Sequence, residues 1–488
     1  MKIGAVVKFL GFLILVITCW MAVPTIYAIA VKGEDTPGFV KSLAVSAASS
    51  LLLILASRKA RMDRMGMREA MAAVALSWVA ASAVGGLPYL FHGSARTYTD
   101  SFFEAMSGFT TTGSTIIENI DATPKGLLLW RGLTHWLGGM GIIVLTLTVM
   151  PLIGVGGFQM YKAEAPGMEH EKLTPRVRDT AVTLWLIYIS LTLILTFLLL
   201  AGGMDFFDAL THSMGTISTG GFSPRGASVA WFGDAYFDWV IVLFMFISGT
   251  NFSLHYHAIK NRSLSRFLKD PEFTFYAFVV SALCLIVSAW LYVSDTYASF
   301  AESLRFGSFQ VVSLVTTTGF VSANYELWPS FAKSVLFICL FMGGCTGSTS
   351  GAIKQARLLV MFRHVARQVR RVSNPRAILP VRMGGESLRA EVVSSCLAFL
   401  GLYLLVFLVG VTLISFSEPD LFTSMSAAAA TIGNVGPGFG SVGPAMSFTS
   451  QAQWTKWVYS SLMLCGRLEL YTLLVLFTRA FWRGGVAL

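Results

Sequence analysis

Four times along the chain, an apolar stretch long enough to cross a bilayer is followed by a segment too short to do so, then by a turn of Thr, Ser and Gly, then by a second apolar stretch. Asp100-Ser101-Phe102-Phe103-Glu104-Ala105 leads to Thr110-Thr111-Thr112-Gly113-Ser114, and Asp205-Phe206-Phe207-Asp208-Ala209 leads to Ser218-Thr219-Gly220-Gly221-Phe222. Ser303-Leu304-Arg305-Phe306-Gly307-Ser308 leads to Thr316-Thr317-Thr318-Gly319-Phe320, and Asp420-Leu421-Phe422-Thr423-Ser424 leads to Gly433-Asn434-Val435-Gly436-Pro437. The short segments run roughly 10–14 residues, against the ~20 that span a ~30 Å hydrocarbon core. Taking Gly113, Gly220, Gly319 and Gly436 as the key glycines, the repeats recur at 107, 99 and 117 residues. A segment that enters from one side and must return to it is re-entrant. Non-helical backbone at membrane depth is tolerated only inside protein or along a wet cavity, so four such loops around one axis would make a pore. Ordinary outer loops rich in turn residues would account for one Thr-Gly turn, but fit four near-equal ones poorly.

The resulting expectation is an all-α integral membrane protein with four pseudo-symmetric helix–pore loop–helix repeats around one pore, plus two extra N-terminal transmembrane helices. Residues 1–68 hold those two helices (about 4–31 and 38–57) and a basic loop; the repeats occupy 69–178, 179–271, 272–388 and 389–488. Their paired spans are expected at 70–92 and 125–155, 179–203 and 235–259, 273–294 and 330–371, and 390–416 and 453–480. Only 13% of residues are charged, about half the ~25% usual in soluble domains. The first apolar stretch ends near Ala28-Ile29-Ala30, which has the look of a signal-peptide site, but it exceeds the ~7–15 residues of such a region; a retained helix is expected, and charge bias leaves the choice open.

The net charge of +10 is unevenly spread: by these spans 26 of the 36 Lys and Arg residues fall on one side. The positive-inside rule makes that side cytoplasmic, with both termini on it. The charge is thus explained by topology and the lipid bilayer, with no nucleic-acid partner. The six cysteines form no CxxC pair and read as small buried hydrophobes. His255 and His257, two apart, point away from each other on a helix, and His135 and His212 read as polar contacts within the membrane. Glu169-His170-Glu171 reads as a solvated cytoplasmic loop. The chain has no HExxH, no GxSxG and no acid–base pair within a span, so it is not read as an enzyme. Nor does it carry a GxGxxG after a strand or a GxxxxGK[ST], so no organic cofactor is expected.

The turns suit a cation. An ion leaving water needs oxygens in place of its hydration shell, and potassium filters supply rings of main-chain carbonyls. Pointing successive carbonyls inward calls for φ > 0, which glycine reaches without steric cost. The candidate ion-binding set is therefore Thr111, Thr112 and Gly113; Ser218, Thr219 and Gly220; Thr317, Thr318 and Gly319; and Asn434, Val435 and Gly436. Helix C-termini would aim partial negative charge at the site, and outer acidic residues such as Asp100, Glu104, Asp208 and Asp238 would raise local cation concentration. These features favour a cation over an anion without separating potassium from sodium.

Within the second span of the third repeat lies Gly343-Gly344-Cys345-Thr346-Gly347-Ser348-Thr349-Ser350-Gly351, ended by Lys354. Each Gly costs ~1 kcal/mol in a helix interior. The stretch is read either as close helix packing through small residues or as an unwound loop beneath the turns. Arg467 sits inside the last span, where a charge is costly and a functional hypothesis by default; it is either half of a structural ion pair or a pore-lining positive charge. Glu469, two residues on, lies on a different helix face.

These segments resemble, over essentially the whole length, the Trk/Ktr/HKT superfamily of potassium transporters and its bacterial TrkH branch, which carries the two extra N-terminal helices. The resemblance implies potassium (and rubidium) as permeant ion, because all four key positions are glycine; the fourth turn departs from the Thr-x-Gly form and makes the filter asymmetric. It also implies that residues 343–351 form an intramembrane gate, that Arg467 lines the pore below the filter, and that the chain is a homodimer docking a cytosolic, nucleotide-binding TrkA-like ring. The nine cationic residues between 354 and 389, with those at 260–269, are the candidate docking surface. A proton- or sodium-coupled secondary transporter with alternating access is the alternative for a protein of broken helices.

Overall fold

The computed structural model describes residues 2–62, 65–141, 177–377, 379–468 and 470–483. It is an all-α membrane protein. Among the described residues six helices are long and apolar enough to cross a bilayer: Ile3–Ala30, Thr36–Ala56, Arg68–His92, Ala181–Ala201, Pro271–Val293 and Ala390–Ile414. The first two form an antiparallel pair in which Gly11 permits close approach. A Cβ there would meet the Ile54 side chain at 2.8 Å, and the Ser50 hydroxyl donates to the Gly11 carbonyl at 2.8 Å.

Four short helices, Tyr98–Phe109, Phe206–Ile217, Phe300–Val315 and Leu421–Ile432, are sheathed by the longer ones. Each begins with a side chain that caps its orphan N–H groups: Thr97 accepts from the Asp100 N–H, Asp205 from Phe207, Ser299 from Glu302, and Asp420 from Phe422 and Thr423. Their polar residues are buried with them, and Ser101, Ser107, Ser213, Ser313 and Ser424 are fully covered. These helices end inside the protein rather than at its surface.

The second apolar stretches follow a different path from the straight spans expected at 235–259 and 453–480. Helix Ala235–Ser248 turns by 96° into Phe252–Asn261, and Gln453–Arg467 turns by 118° into Leu470–Phe477. In the third repeat Ser330–Cys339 stops well before Gln355–Ser373 begins. In the first, Lys125–Gly139 is described, while the remainder of the expected span, 142–155, lies outside the described residues, as do Glu169, His170, Glu171 and Glu469. In the first, second and fourth repeats the helix ends at glycines that let its backbone approach the end of a short helix. A Cβ on Gly138 would strike the Phe109 carbonyl, one on Gly139 the Ser218 backbone, one on Gly249 the Thr316 side chain, and one on Gly466 the Ile432 carbonyl.

No cysteine is in a disulfide, and among the described residues no His, Cys, Asp and Glu cluster could hold a metal.

Candidate functional site

The four short helices end in the same way. After Phe109 the chain closes a Schellman motif: the Thr112 N–H donates to the Ser107 carbonyl at 2.9 Å and the Thr111 N–H to Gly108 at 3.1 Å. The pattern recurs as Gly220 to Gly215 and Thr219 to Thr216, Thr318 to Ser313 and Thr317 to Leu314, and Val435 to Ala430 and Asn434 to Thr431. The residue in the left-handed region is normally glycine; here it is Thr111, Thr219, Thr317 and Asn434, with φ of 54°, 54°, 57° and 53°. Three β-branched residues in that region are genuine outliers, of a kind that clusters at functional sites.

Two residues further on, each chain again takes φ > 0, at Gly113 (88°), Gly221 (80°), Gly319 (78°) and Gly436 (103°). The second repeat is thus shifted by one from the sequence reading: Gly221, not Gly220, occupies the glycine position, while Gly220 stands level with Thr112, Thr318 and Val435. Gly220 serves a separate purpose, since a Cβ on it would collide with the His135 ring. Lining up Phe222 with Phe320 would have revealed the register; the Gly-Gly pair concealed it.

The four turns close on one another. A Cβ on Gly113 would strike the Gly220 carbonyl oxygen, one on Gly221 that of Thr318, one on Gly319 that of Val435, and one on Gly436 that of Thr112. All four approaches fall inside 3.0 Å, a distance real Cβ atoms essentially never show. The order of contact, first to second to third to fourth to first, is a ring. Its main-chain oxygens belong to Thr112, Gly220, Thr318 and Val435, and Gly113, Gly221, Gly319 and Gly436 line a cavity of about 250 Å³ on one side of it. The threonine hydroxyls of the ring are tied back, Thr112 to Thr110 and Thr318 to Thr316, both at 2.8 Å. Asn434 breaks the symmetry: its amide bridges the Thr112 hydroxyl and the Met463 carbonyl, both at 2.9 Å. The candidate residues Thr111, Ser218, Thr219 and Thr317 are buried just inside this ring.

Asp100, Glu104, Asp208 and Asp238 are paired rather than the free mouth charges expected from sequence. Glu104 pairs with Arg131 at 2.8 Å and accepts from the Ile116 N–H at 2.9 Å. Arg131 also reaches the Ser223 carbonyl at 3.2 Å and lies over the Phe222 ring. Asp208 pairs with Arg225, Asp238 with Arg305 and Asp100 with Lys456. Desolvating a charge is costly unless it is paired, and three of these pairs or their extensions join different repeats. His135 and His212 are both fully buried in polar contacts, His135 with the Gly108 carbonyl at 2.8 Å and His212 with the Asp208 carbonyl at 2.7 Å and the Ser223 hydroxyl at 3.0 Å.

Residues 343–351 form an unwound loop on the side of the ring away from that cavity. Its neck is pinned by the Gly343 N–H to the Ile353 carbonyl at 2.9 Å and by the Gln355 amide to the Gly343 carbonyl at 2.7 Å. The Cys345 N–H donates to Gly249 at 2.8 Å, and a Cβ on Gly344 would strike that same carbonyl. Gly347, at φ 76°, rests on Asn251. At the tip, the Thr219 and Thr349 hydroxyls meet at 3.3 Å, the Gly351 N–H donates to the Thr317 hydroxyl at 2.7 Å, and Gly351 abuts Gly433 and Asn434. The loop tip thus touches the left-handed residues of three turns. Ser348 bonds Cys345, Lys354 reaches the Ser350 carbonyl and the Ser348 hydroxyl, and Thr346 reaches Glu272. Arg467 donates to the Thr349 carbonyl at 2.8 Å, to Gly138 at 2.6 Å and to Gly139 at 3.0 Å. It therefore joins the loop to the first repeat from the fourth.

Four buried helix ends that share one ring, inside a bundle with six membrane-length helices, define a multi-pass membrane protein organised around a single axis. The TrkH family, described as cation transport protein, matches residues 37–483. The chain is 38% identical over 485 residues to the Trk system potassium uptake protein TrkH of Escherichia coli K12, covering 99% of this chain and 100% of that one. It is 35% identical to the protein of the same name from Halomonas elongata, with the same coverage. The crystal structure of the potassium transporter TrkH from Vibrio parahaemolyticus superposes with a TM-score of 0.89 at 34% identity, over 99% of this chain and 100% of that one. The chain belongs to the TrkH family of cation transport proteins.

Proposed function

We propose that this chain takes up potassium across a bacterial inner membrane, through a pathway whose selective point is the ring of the Thr112, Gly220, Thr318 and Val435 carbonyls. The observation that carries the reading is the closed order of contacts, in which each left-handed glycine faces the carbonyl oxygen of the next repeat. Main-chain oxygens so arranged replace the hydration shell of a monovalent cation. Four helix C-termini add partial negative charge at the same place. The names of the relatives agree with potassium as cargo.

On this reading residues 343–351 are the gate. The loop tip hydrogen-bonds to Thr219 and Thr317 directly inside the ring, where an ion leaving the filter would pass. Arg467 holds the loop by Thr349 and sets a positive barrier on the same path. Opening requires the tip to leave those hydroxyls and Arg467 to release Thr349. Both termini face the cytoplasm, two copies associate, and a cytosolic TrkA-like nucleotide-binding ring docks on the cationic residues between 354 and 389 and at 260–269. Potassium is cargo, and no organic cofactor takes part.

The test is ion flux through the purified protein in vesicles, comparing potassium, rubidium, sodium and lithium with and without a pH gradient. Potassium and rubidium should pass far faster than sodium and lithium, independently of the gradient. Gly113→Ser should lower the potassium-to-sodium ratio. Flux driven by the proton gradient, at alternating-access rates, would favour coupled transport instead.

A further inference from the structure

We propose that Glu272, outside both the ring and the loop, is the positioning residue that holds the loop in its blocking place. This inference rests on the gate reading above. Glu272 lies in the first turn of Pro271–Val293 and is 7% exposed. A single carboxylate oxygen, Oε1, accepts from the Thr346 N–H at 2.6 Å, the Thr346 hydroxyl at 3.0 Å and the Ala356 N–H at 3.0 Å. Thr346 is inside the loop. Ala356 lies in the first turn of Gln355–Ser373, whose N-cap, Lys354, makes no side-chain cap. Glu272 therefore caps that helix from another element and joins both sides of the loop base to the first helix of the repeat.

The chemistry calls for a full charge. Three donors converging on one oxygen suit an ionised carboxylate; an amide oxygen has two lone pairs and no charge to assist them. The loop tip meets the turns through neutral groups, Thr219–Thr349 at 3.3 Å and Gly351–Thr317 at 2.7 Å, and Arg467 adds a charged contact there to the Thr349 carbonyl. Glu272 thus ties down the base of the loop as Arg467 ties down Thr349 near its tip. Loosening the base shifts the population toward the open pathway. Cys345, adjacent to Thr346 and 1% exposed, is a native reporter of that shift.

The experiment uses the full-length protein in vesicles with the other five cysteines replaced. Basal rubidium flux and the rate of Cys345 modification by a hydrophilic maleimide are read for the parent, Glu272→Gln and Thr346→Val. Glu272→Gln should raise both about 10-fold, the weight of one charge-assisted hydrogen bond. Thr346→Val should raise both less, and the double variant should fall short of the product of the two. The potassium-to-sodium ratio should stay at the parent value, because the ring is untouched. A merely structural cap would lower thermal stability without moving basal flux or Cys345 reactivity, and that result overturns the proposal; so does a fall in flux in folded protein. If Glu272→Gln does not fold, Thr346→Val decides alone by the same two readouts. Deleting several residues between 344 and 351 separates the two levels of argument. If the deletion leaves flux unchanged, the gate reading itself fails; if it raises flux and Glu272→Gln does not, only the anchor fails.

Discussion

The carbonyl ring and the loop inside it lie in contact but are built on opposite principles. The ring is made four times over from main chain, with the same Schellman closure and the same left-handed glycine in every repeat. The loop is made once, in the third repeat, and is placed largely by side chains: Glu272, Thr317, Thr219, Gln355 and Arg467. A backbone ring fixed by steric contact resists displacement. A loop held by single hydrogen bonds can be released one contact at a time. On the proposed reading selectivity needs the first property and gating the second.

This contrast can be broken at four points. The largest effect is expected at Arg131, which pairs with Glu104 and holds the Ser223 carbonyl just after the second turn. Arg131→Met leaves Glu104 charged and buried, at a cost of about 4 kcal/mol, and detergent-solubilised protein should lose much of its thermal stability. Gly319→Ala places a Cβ on the Val435 carbonyl at φ 78°; about 3 kcal/mol of strain predicts roughly 100-fold less potassium flux with the fold retained. The loop should behave oppositely. Removing several residues between 344 and 351 should raise basal flux roughly tenfold by favouring the open state. Arg467→Ala should raise it about fivefold, matching a repulsion of about 1 kcal/mol between unit charges in a wet passage. If ring variants raised flux, or loop variants changed the ion ratio, the division of labour would be wrong.

The ring was legible in the sequence because it recurs: a short helix, then Thr or Ser, then Gly, is visible three times without knowing the fold, and the fourth turn keeps the short helix and the glycine. Its register in the second repeat was not, because Gly220 and Gly221 are interchangeable on paper and only φ and the His135 contact tell them apart. The left-handed threonines left no signal, since Thr ordinarily avoids that region. The bends at Gly249 and after Gly466 were hidden because hydropathy records composition and not direction. The pairing of the outer carboxylates was out of reach for a different reason: Asp100 and Lys456 are 356 residues apart. The loop was visible as a glycine-rich break, but Glu272, 74 residues before Thr346, carried no local sign of its connection to it.

The most direct measurement is the position of a heavy monovalent cation in crystals of the protein grown with rubidium or thallium. Anomalous density centred among the Thr112, Gly220, Thr318 and Val435 carbonyl oxygens is the predicted result. A ring without such density, with the cation bound elsewhere in the molecule, would contradict the account.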